Sequence, residues 1–259
     1  MDLGIAGRSA IVCASSRGLG RACAQKLAEA GCTVVINGRD RERLTATAVA
    51  IAESTRAAVI PVVGDVATPE GQAALLEACP APDILVNNNA GPPFRDFRSL
   101  GRDDILAGVV ANMVAAIELT QKVIDGMRAR RFGRIVNITS GSVKMPLPGL
   151  DLSSGARAGL TAFMAGVARS VAADGVTING LLPGVFATDR LAAMLATTAQ
   201  TRGVDIEAVA AERLAAVPAR RLGDPDEFGA ACAFLCSVHA GYITGQNILI
   251  DGGAFPGAL

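Results

Sequence analysis

A single rhythm narrows the folds open to this chain: short Val- and Ile-rich runs alternate with longer segments of helical period. Continuous apolar runs belong to strands covered on both faces, and strands separated by helix-length segments build parallel β-α units. The strand candidates are Arg8–Cys13, Thr33–Asn37, Ala58–Gly64, Asp83–Asn87, Arg134–Ile138, Thr177–Leu182 and Asn247–Ile250. Helical stretches fall at Leu19–Ala30, Arg41–Ser54, Pro69–Ala78, Arg102–Arg130, Ser153–Ala173 and Pro225–Ser237. The pattern predicts an α/β fold, a doubly wound parallel sheet with helices on both faces. With no repeat and no low-complexity linker, residues 1–259 read as a single domain. One segment breaks the rhythm. Pro183 to Pro218 is an insertion with its own helical pattern (Thr188–Ala199, Asp205–Ala215), and a doubly wound sheet can use it as a lid on the substrate side.

Charge excludes whole classes of function. The chain has 24 basic and 24 acidic side chains, so it lacks the surplus that a nucleic-acid binder or an acidic disordered tail requires. Met1 to Gly7 lacks the basic start and apolar stretch of a signal peptide. Charges or Gly/Pro interrupt every apolar run before the roughly 18 residues of a membrane span. The expectation is a cytoplasmic protein with no nucleic-acid and no membrane partner. Six cysteines (Cys13, Cys23, Cys32, Cys79, Cys232, Cys236) contain no C-x-x-C pair and read as reduced core residues. His239 is the only histidine, in a Ser/Gly-flanked turn. That excludes a His-rich metal site, and a Ser-His-Asp machine would need this one residue, which reads as structural.

The first candidate site is the turn Cys13-Ala14-Ser15-Ser16-Arg17-Gly18-Leu19-Gly20, which follows a strand and opens a helix. Such a turn lets backbone N–H groups approach a pyrophosphate at the positive helix end, although Gly18 and Gly20 alone would equally serve tight helix–strand packing. Three further segments accompany it: Asp83-Ile84-Leu85-Val86-Asn87-Asn88-Asn89-Ala90-Gly91, Gly133-Arg134-Ile135-Val136-Asn137-Ile138-Thr139-Ser140, and Pro183-Gly184-Val185 with Thr188 and Asp189. The chain then ends in Tyr242-Ile243-Thr244-Gly245-Gln246 and Asp251-Gly252-Gly253. In this order and spacing the motifs resemble the short-chain dehydrogenase/reductase family over essentially the whole chain.

The resemblance implies a Rossmann-type domain with a seven-stranded parallel sheet, a homotetramer or homodimer, and a dinucleotide cofactor. The family's glycine motif maps onto Ala14, Gly18 and Gly20, with alanine replacing the first glycine, so Ala14 to Gly20 form the implied phosphate-binding turn. Its adenine-contacting Asp maps onto Asp65, followed by Val66. Its Asn-Asn-Ala-Gly motif maps by identity onto Asn88, Asn89, Ala90 and Gly91, while counting from the strand moves the register back by one. Pro183, Gly184, Val185 and Thr188 complete the implied cofactor set. After the second strand stands Asn37-Gly38-Arg39-Asp40. A ribose 2′-phosphate needs cations there, and Arg39 with Arg17 matches relatives that use NADP(H); Asp40 leaves NAD(H) open as a carboxylate acceptor for a free 2′-hydroxyl.

The catalytic region departs from the family. Asn112 and Ser140 match the usual Asn and Ser, but the Tyr and Lys positions hold Ser153 and Arg157. This Ser-x-x-x-Arg variant, with Lys144-Met145-Pro146 upstream, is similar to a divergent subgroup labelled as 3-oxoacyl reductases. Carbonyl reduction needs a proton for the developing alkoxide, normally from a Tyr acidified by its Lys neighbour. A serine hydroxyl is a weaker acid and arginine keeps its proton. Arg157 is therefore expected to hold the cofactor ribose and steady an oxyanion, with Ser140 and Ser153 donating hydrogen bonds. Lys144 is the candidate acid if burial and Arg157 lower its pKa; otherwise it is an exposed loop lysine or an anchor for an anionic substrate. Two functions follow from the resemblance: an NADP(H)-dependent oxidoreductase acting on a small carbonyl or secondary alcohol, or a nucleotide-binding sensor or structural protein that has lost turnover. The same scaffold could also dehydrate a substrate without redox change. The expected pocket (Gly91–Phe97, Ser142–Asp151, Phe186–Ala215) suits an acyl chain or a small anionic ketone equally.

Overall fold

In a computed structural model describing residues 1–257, seven strands form one parallel sheet: β1 (Ser9–Val12), β2 (Thr33–Gly38), β3 (Val59–Val63), β4 (Ile84–Asn87), β5 (Gly133–Ile138), β6 (Val176–Pro183) and β7 (Asn247–Ile250). Their order is β3-β2-β1-β4-β5-β6-β7. The chain leaves β1 toward one edge and returns at β4 to fill the other side. The reversal opens a crevice beyond the carboxyl ends of β1 and β4, where a doubly wound sheet binds its ligands.

Alternate strand residues feed two cores. Val12, Ile36 and Val86 point toward α1 (Gly18–Glu29), α2 (Arg41–Thr55) and α9 (Pro225–Cys236), where they meet Leu27, Leu44 and Phe228. Ile11, Val35 and Leu85 point to the opposite face, against α3 (Pro69–Ala78), α5 (Ala115–Ala129) and α6 (Asp151–Val171), which supply Leu75, Leu119 and Leu160. Gly229 lets α9 approach α1, since a methyl carbon there would lie 2.5 Å from the Ala22 carbonyl oxygen. All six cysteines are buried and free. His239 sits in a short 3₁₀ turn with Nε2 2.8 Å from the Asp2 carbonyl oxygen.

Two expectations need correction. The strands at the sheet edges are not covered on both faces: Ile60 and Pro61 of β3 and Ile248 of β7 are exposed. Proline at an edge costs no interior ladder bond. The predicted continuous helix Arg102–Arg130 is broken into α4 (Arg102–Val109), a π turn (Val110–Val114) and α5. A helical period does not register a single extra residue, and π turns recur at functional sites.

The insertion forms α7 (Asp189–Arg202) and α8 (Ile206–Ala215), which pack on each other. It is closed at its base, since Gly223 N donates to the Val185 carbonyl at 2.9 Å and Ala187 N donates to the Gly223 carbonyl at 3.0 Å. Among the described residues, no helix is long and apolar enough to cross a membrane, and no group of three or more His, Cys, Asp or Glu could hold a metal ion.

Candidate active site

The glycine turn is held by asparagines. Ala14 is left-handed at φ +43°, a conformation that costs an L-residue roughly 1–2 kcal/mol. Its amide donates to Asn37 Oδ1 at 3.2 Å, and its carbonyl accepts from Asn88 Nδ2 at 3.1 Å. Asn37 is itself anchored, donating to the carbonyls of Val62 and Gly64 at 3.1 and 3.0 Å. Ser15 is fully buried, and its hydroxyl donates to the Val12 carbonyl and accepts from Asn37 N. The side chains of Ser15 and Asn37, expected among the cofactor contacts, are thus spent on shaping the turn. Thr47, which the sequence did not single out, donates to the Ser16 carbonyl at 2.8 Å.

The turn delivers a helix end fit for an anion. Asp40, Thr68, Thr188 and Asp224 cap α2, α3, α7 and α9 through their side chains, but no side chain caps α1, whose N-cap Arg17 is extended. The first-turn amides of α1 therefore have no capping partner, and helix polarity favours negative charge there. Gly20 cannot carry a side chain, because a methyl carbon would lie 2.5 Å from the Ala14 carbonyl oxygen. Thr188 approaches the same turn, 3.9 Å from where Gly18 would place a Cβ. Gly184 is bound into the sheet, its amide donating to the Ile250 carbonyl at 2.9 Å. Together these residues fit a dinucleotide diphosphate.

Three exposed arginines stand near the glycine turn and the end of β2: Arg17 in the turn, Arg39 after β2 and Arg43 in α2. Arg39 lies 3.5 Å from Asp65, while Arg17 and Arg43 both reach Asp189 at 3.8 and 3.9 Å. Arg43 was not anticipated, because it lies within α2 rather than in a recognised turn. Asp40, the residue that left NAD(H) open, accepts from Arg43 N as the cap of α2. Asp65 accepts from Ala67 N at 2.9 Å, and Val66 is buried beside the turn.

At the other end of the crevice lie the residues expected to do chemistry. The three consecutive asparagines have separate tasks. Asn87 ends β4 and donates to Asn137 on β5 at 2.9 Å; Asn88 grips the glycine turn; Asn89 donates to the Ala111 carbonyl of the π turn at 3.1 Å. Asn112 occupies that π turn, with Nδ2 donating to the Gly108 carbonyl at 3.2 Å and a buried Oδ1 that has no partner. Its side chain borders a cavity of about 20 Å³ shared with Cys13, Asn88, Asn89 and Arg157. Burial pushes the Cys13 thiol up to about 12, so it stays protonated.

Ser153 and Arg157 are buried one turn apart on α6, and Arg157 Nη1 donates to Ser153 Oγ. Arg157 Nη2 donates to the Asn89 carbonyl at 3.4 Å. Burial, with the nearby Arg190 charge, lowers the guanidinium to about 10. Ser140 caps the 3₁₀ turn Gly141–Val143, which packs on α6, and its Oγ accepts from Ser142 Oγ at 2.9 Å. Lys144 follows the second of its two readings, the exposed loop lysine. It is exposed, with Nζ 6.0 Å from the centroid of the Phe255 ring, and so lacks the burial that the acid role required. Arg190, missed because it follows the recognised motif, reaches Gly91 from α7.

The family model described as enoyl-(acyl carrier protein) reductase matches residues 13–254. The chain is 33% identical over 255 residues to the 3-oxoacyl-(acyl-carrier-protein) reductase FabG of Vibrio harveyi, covering 98% of this chain and 99% of that one. It is 30% identical over 252 residues to the NADPH-dependent reductase BacG of Bacillus subtilis, covering 95% and 97%. Among solved structures, L-sorbose reductase from Gluconobacter frateurii, complexed with NADPH and L-sorbose, superposes with a TM-score of 0.93 at 29% identity over 98% of each chain.

Proposed function

Because this chain belongs to the short-chain dehydrogenase/reductase family, we propose that it is an NADP(H)-dependent oxidoreductase interconverting a carbonyl and a secondary alcohol through an atypical centre. The carrying observation is the uncapped start of α1 beside Arg17, Arg39 and Arg43, joined through Asn88 and Asn89 to the Ser153–Arg157 pair. When bound, the nicotinamide supplies or accepts the hydride. Arg157 holds positive charge where the substrate oxygen becomes negative, and Ser153, whose oxygen accepts from Arg157, has its hydrogen left to donate to that oxygen. Ser140 donates from the facing turn, and Asn112 fixes the π turn that bears on α6. None is a strong acid, so the proton is drawn from solvent through the serine hydroxyls, and slow chemistry is expected.

The same missing Tyr-Lys pair favours a second reading, an NADP(H)-binding protein without turnover. Cofactor oxidation against a panel of ketones and aldehydes separates the two. Turnover, even slow, that is abolished in Ser140→Ala supports the enzyme, and none across the panel supports the binder. We propose further that the protein is a homodimer or homotetramer, on the exposed apolar side chains Ile105, Leu106, Val110 and Phe163 of α4, the π turn and α6. Six free, buried thiols support a reducing compartment such as the cytoplasm.

A further inference from the structure

Arg157 and Arg190 converge on one point. A methyl carbon added to Gly91 would lie 3.0 Å from Arg157 Nη1 and 3.0 Å from Arg190 Nη2, so the two guanidiniums border the same small volume above Gly91. Among the described residues neither has a carboxylate within 4.0 Å, whereas Arg17 and Arg39 each have one and Arg43 has two. Arg157 spends two nitrogens on Ser153 and the Asn89 carbonyl. Arg157 is buried, while Arg190 keeps an exposed side chain whose guanidinium end is partly desolvated; burial lowers the pKa of each. Two neighbouring cations in that condition repel each other and lose hydration, and an anion between them removes both costs. A planar fork of N–H groups suits a carboxylate or a phosphate.

We propose that Arg190, assisted by Arg157, binds a carboxylate on the substrate, so that this enzyme's preferred carbonyl compounds are short oxo acids. The cofactor's diphosphate is the other source of the same chemistry. It already has a fitting place at the uncapped start of α1 beside Thr188, and its 2′-phosphate has three arginines. Arg157 instead donates to Ser153, on the reacting side. With Arg157 shared between the reacting oxygen and the acid group, the carboxylate stands only one or two carbons from the carbonyl. The proposal rests on the reading that Ser153 and Arg157 border the reacting carbonyl.

Pyruvate and acetoacetate, each beside its methyl ester, test it in two ways. Calorimetry on the protein loaded with NADP⁺ reads binding without turnover, and NADPH oxidation reads kcat/KM. An acid should be preferred over its ester by about tenfold or more, the scale of one charge-assisted pair. Arg190→Leu should erase the preference and Arg190→Lys should restore part of it, with NADPH affinity changed less than about twofold. Equal binding of acid and ester by the parent protein overturns the proposal. So does an Arg190→Leu protein that keeps the preference but loses NADPH affinity, which assigns Arg190 to the diphosphate. Carboxylate binding that depends on Arg190, with no turnover of any carbonyl, upholds the anion site and refutes the oxidoreductase reading instead.

Discussion

The Ala14 amide donates to Asn37 Oδ1 at 3.2 Å, and this bond falls on a left-handed residue that is not glycine. Asn37 and Asn88 hold the turn against the preference of alanine for other backbone conformations. Ala14→Gly should therefore raise stability by about 0.5–1 kcal/mol, the left-handed penalty less the entropy glycine gains when unfolded. Urea midpoints measured without cofactor check this, and an unchanged midpoint would mean that the turn is unstrained.

Cofactor choice is expected to depend on the exposed arginines. Arg39→Ala should weaken NADPH binding by about tenfold and NADH binding by less than about twofold, since a charge-assisted pair with the 2′-phosphate is worth about 1.5–3 kcal/mol. Asp189→Asn should tighten NADPH slightly at low salt by releasing Arg17 and Arg43, an effect that high salt removes. Equal affinities for both cofactors in the parent protein would refute the assignment.

Arg157 sets function against stability. Burial lowers its pKa on folding from the ordinary guanidinium range to about 10, so between the two the unfolded chain binds more protons than the folded one. Stability from this group therefore rises with pH across that window, and at neutral pH its buried charge is a cost in full. Arg157→Met should raise stability at pH 7 by about 1 kcal/mol, because apolar replacement of a buried charge is often neutral or stabilising. The same change should lower kcat/KM by about a hundredfold or more through loss of oxyanion stabilisation. In the parent, reductase activity should fall as pH rises through about 10. A variant that loses stability but keeps activity would contradict both halves.

The exposed position of Lys144 leads to a plain expectation. Lys144→Ala should leave kcat within about twofold and the pH–rate profile unchanged, since the side chain is exposed and lies by the Phe255 ring rather than with Ser153 and Arg157. Loss of the alkaline limb in this variant would return Lys144 to the role of acid. The paired change Ser153→Tyr with Arg157→Lys should not raise activity, because Ser153 is buried on α6 and a phenol ring in place of a hydroxymethyl group overpacks its surroundings.

Assembly can be tested through the apolar face of α4 and the π turn. Light scattering should give a dimer or tetramer at micromolar concentration, and Leu106→Asp with Val110→Asp should yield monomer. A monomeric parent would show that these side chains serve something else.

Periodicity located the sheet well, because buried parallel strands are written as uninterrupted Val and Ile; β5, buried at every residue, falls at Gly133–Ile138 against an expected Arg134–Ile138. The phosphate-binding turn was legible for a different reason: its glycines are demanded by contact distances. What escaped was tertiary. The π turn adds one residue without altering the apolar face of the helix, so Arg102–Arg130 looked continuous. Ser15 and Asn37 sit in the expected motif, yet only the packing of β1 against β2 reveals that their side chains face inward. Arg190 and Arg43 are remote in sequence from the residues they approach, and no local pattern distinguishes either from a solvated arginine.

The hydrogen bonds that join Val185 and Ala187 to Gly223 have an evolutionary consequence. They make the segment between them a cassette, fastened at its base and contributing few residues to the central core. Beyond Thr188 and Asp189, which face the nucleotide-binding turn, substitutions or length changes in α7 and α8 then alter what the crevice admits without reaching the strands. Lineages that keep the sheet can exchange this cassette and so exchange substrates, and selection for a new ligand would leave its record first between residues 187 and 223.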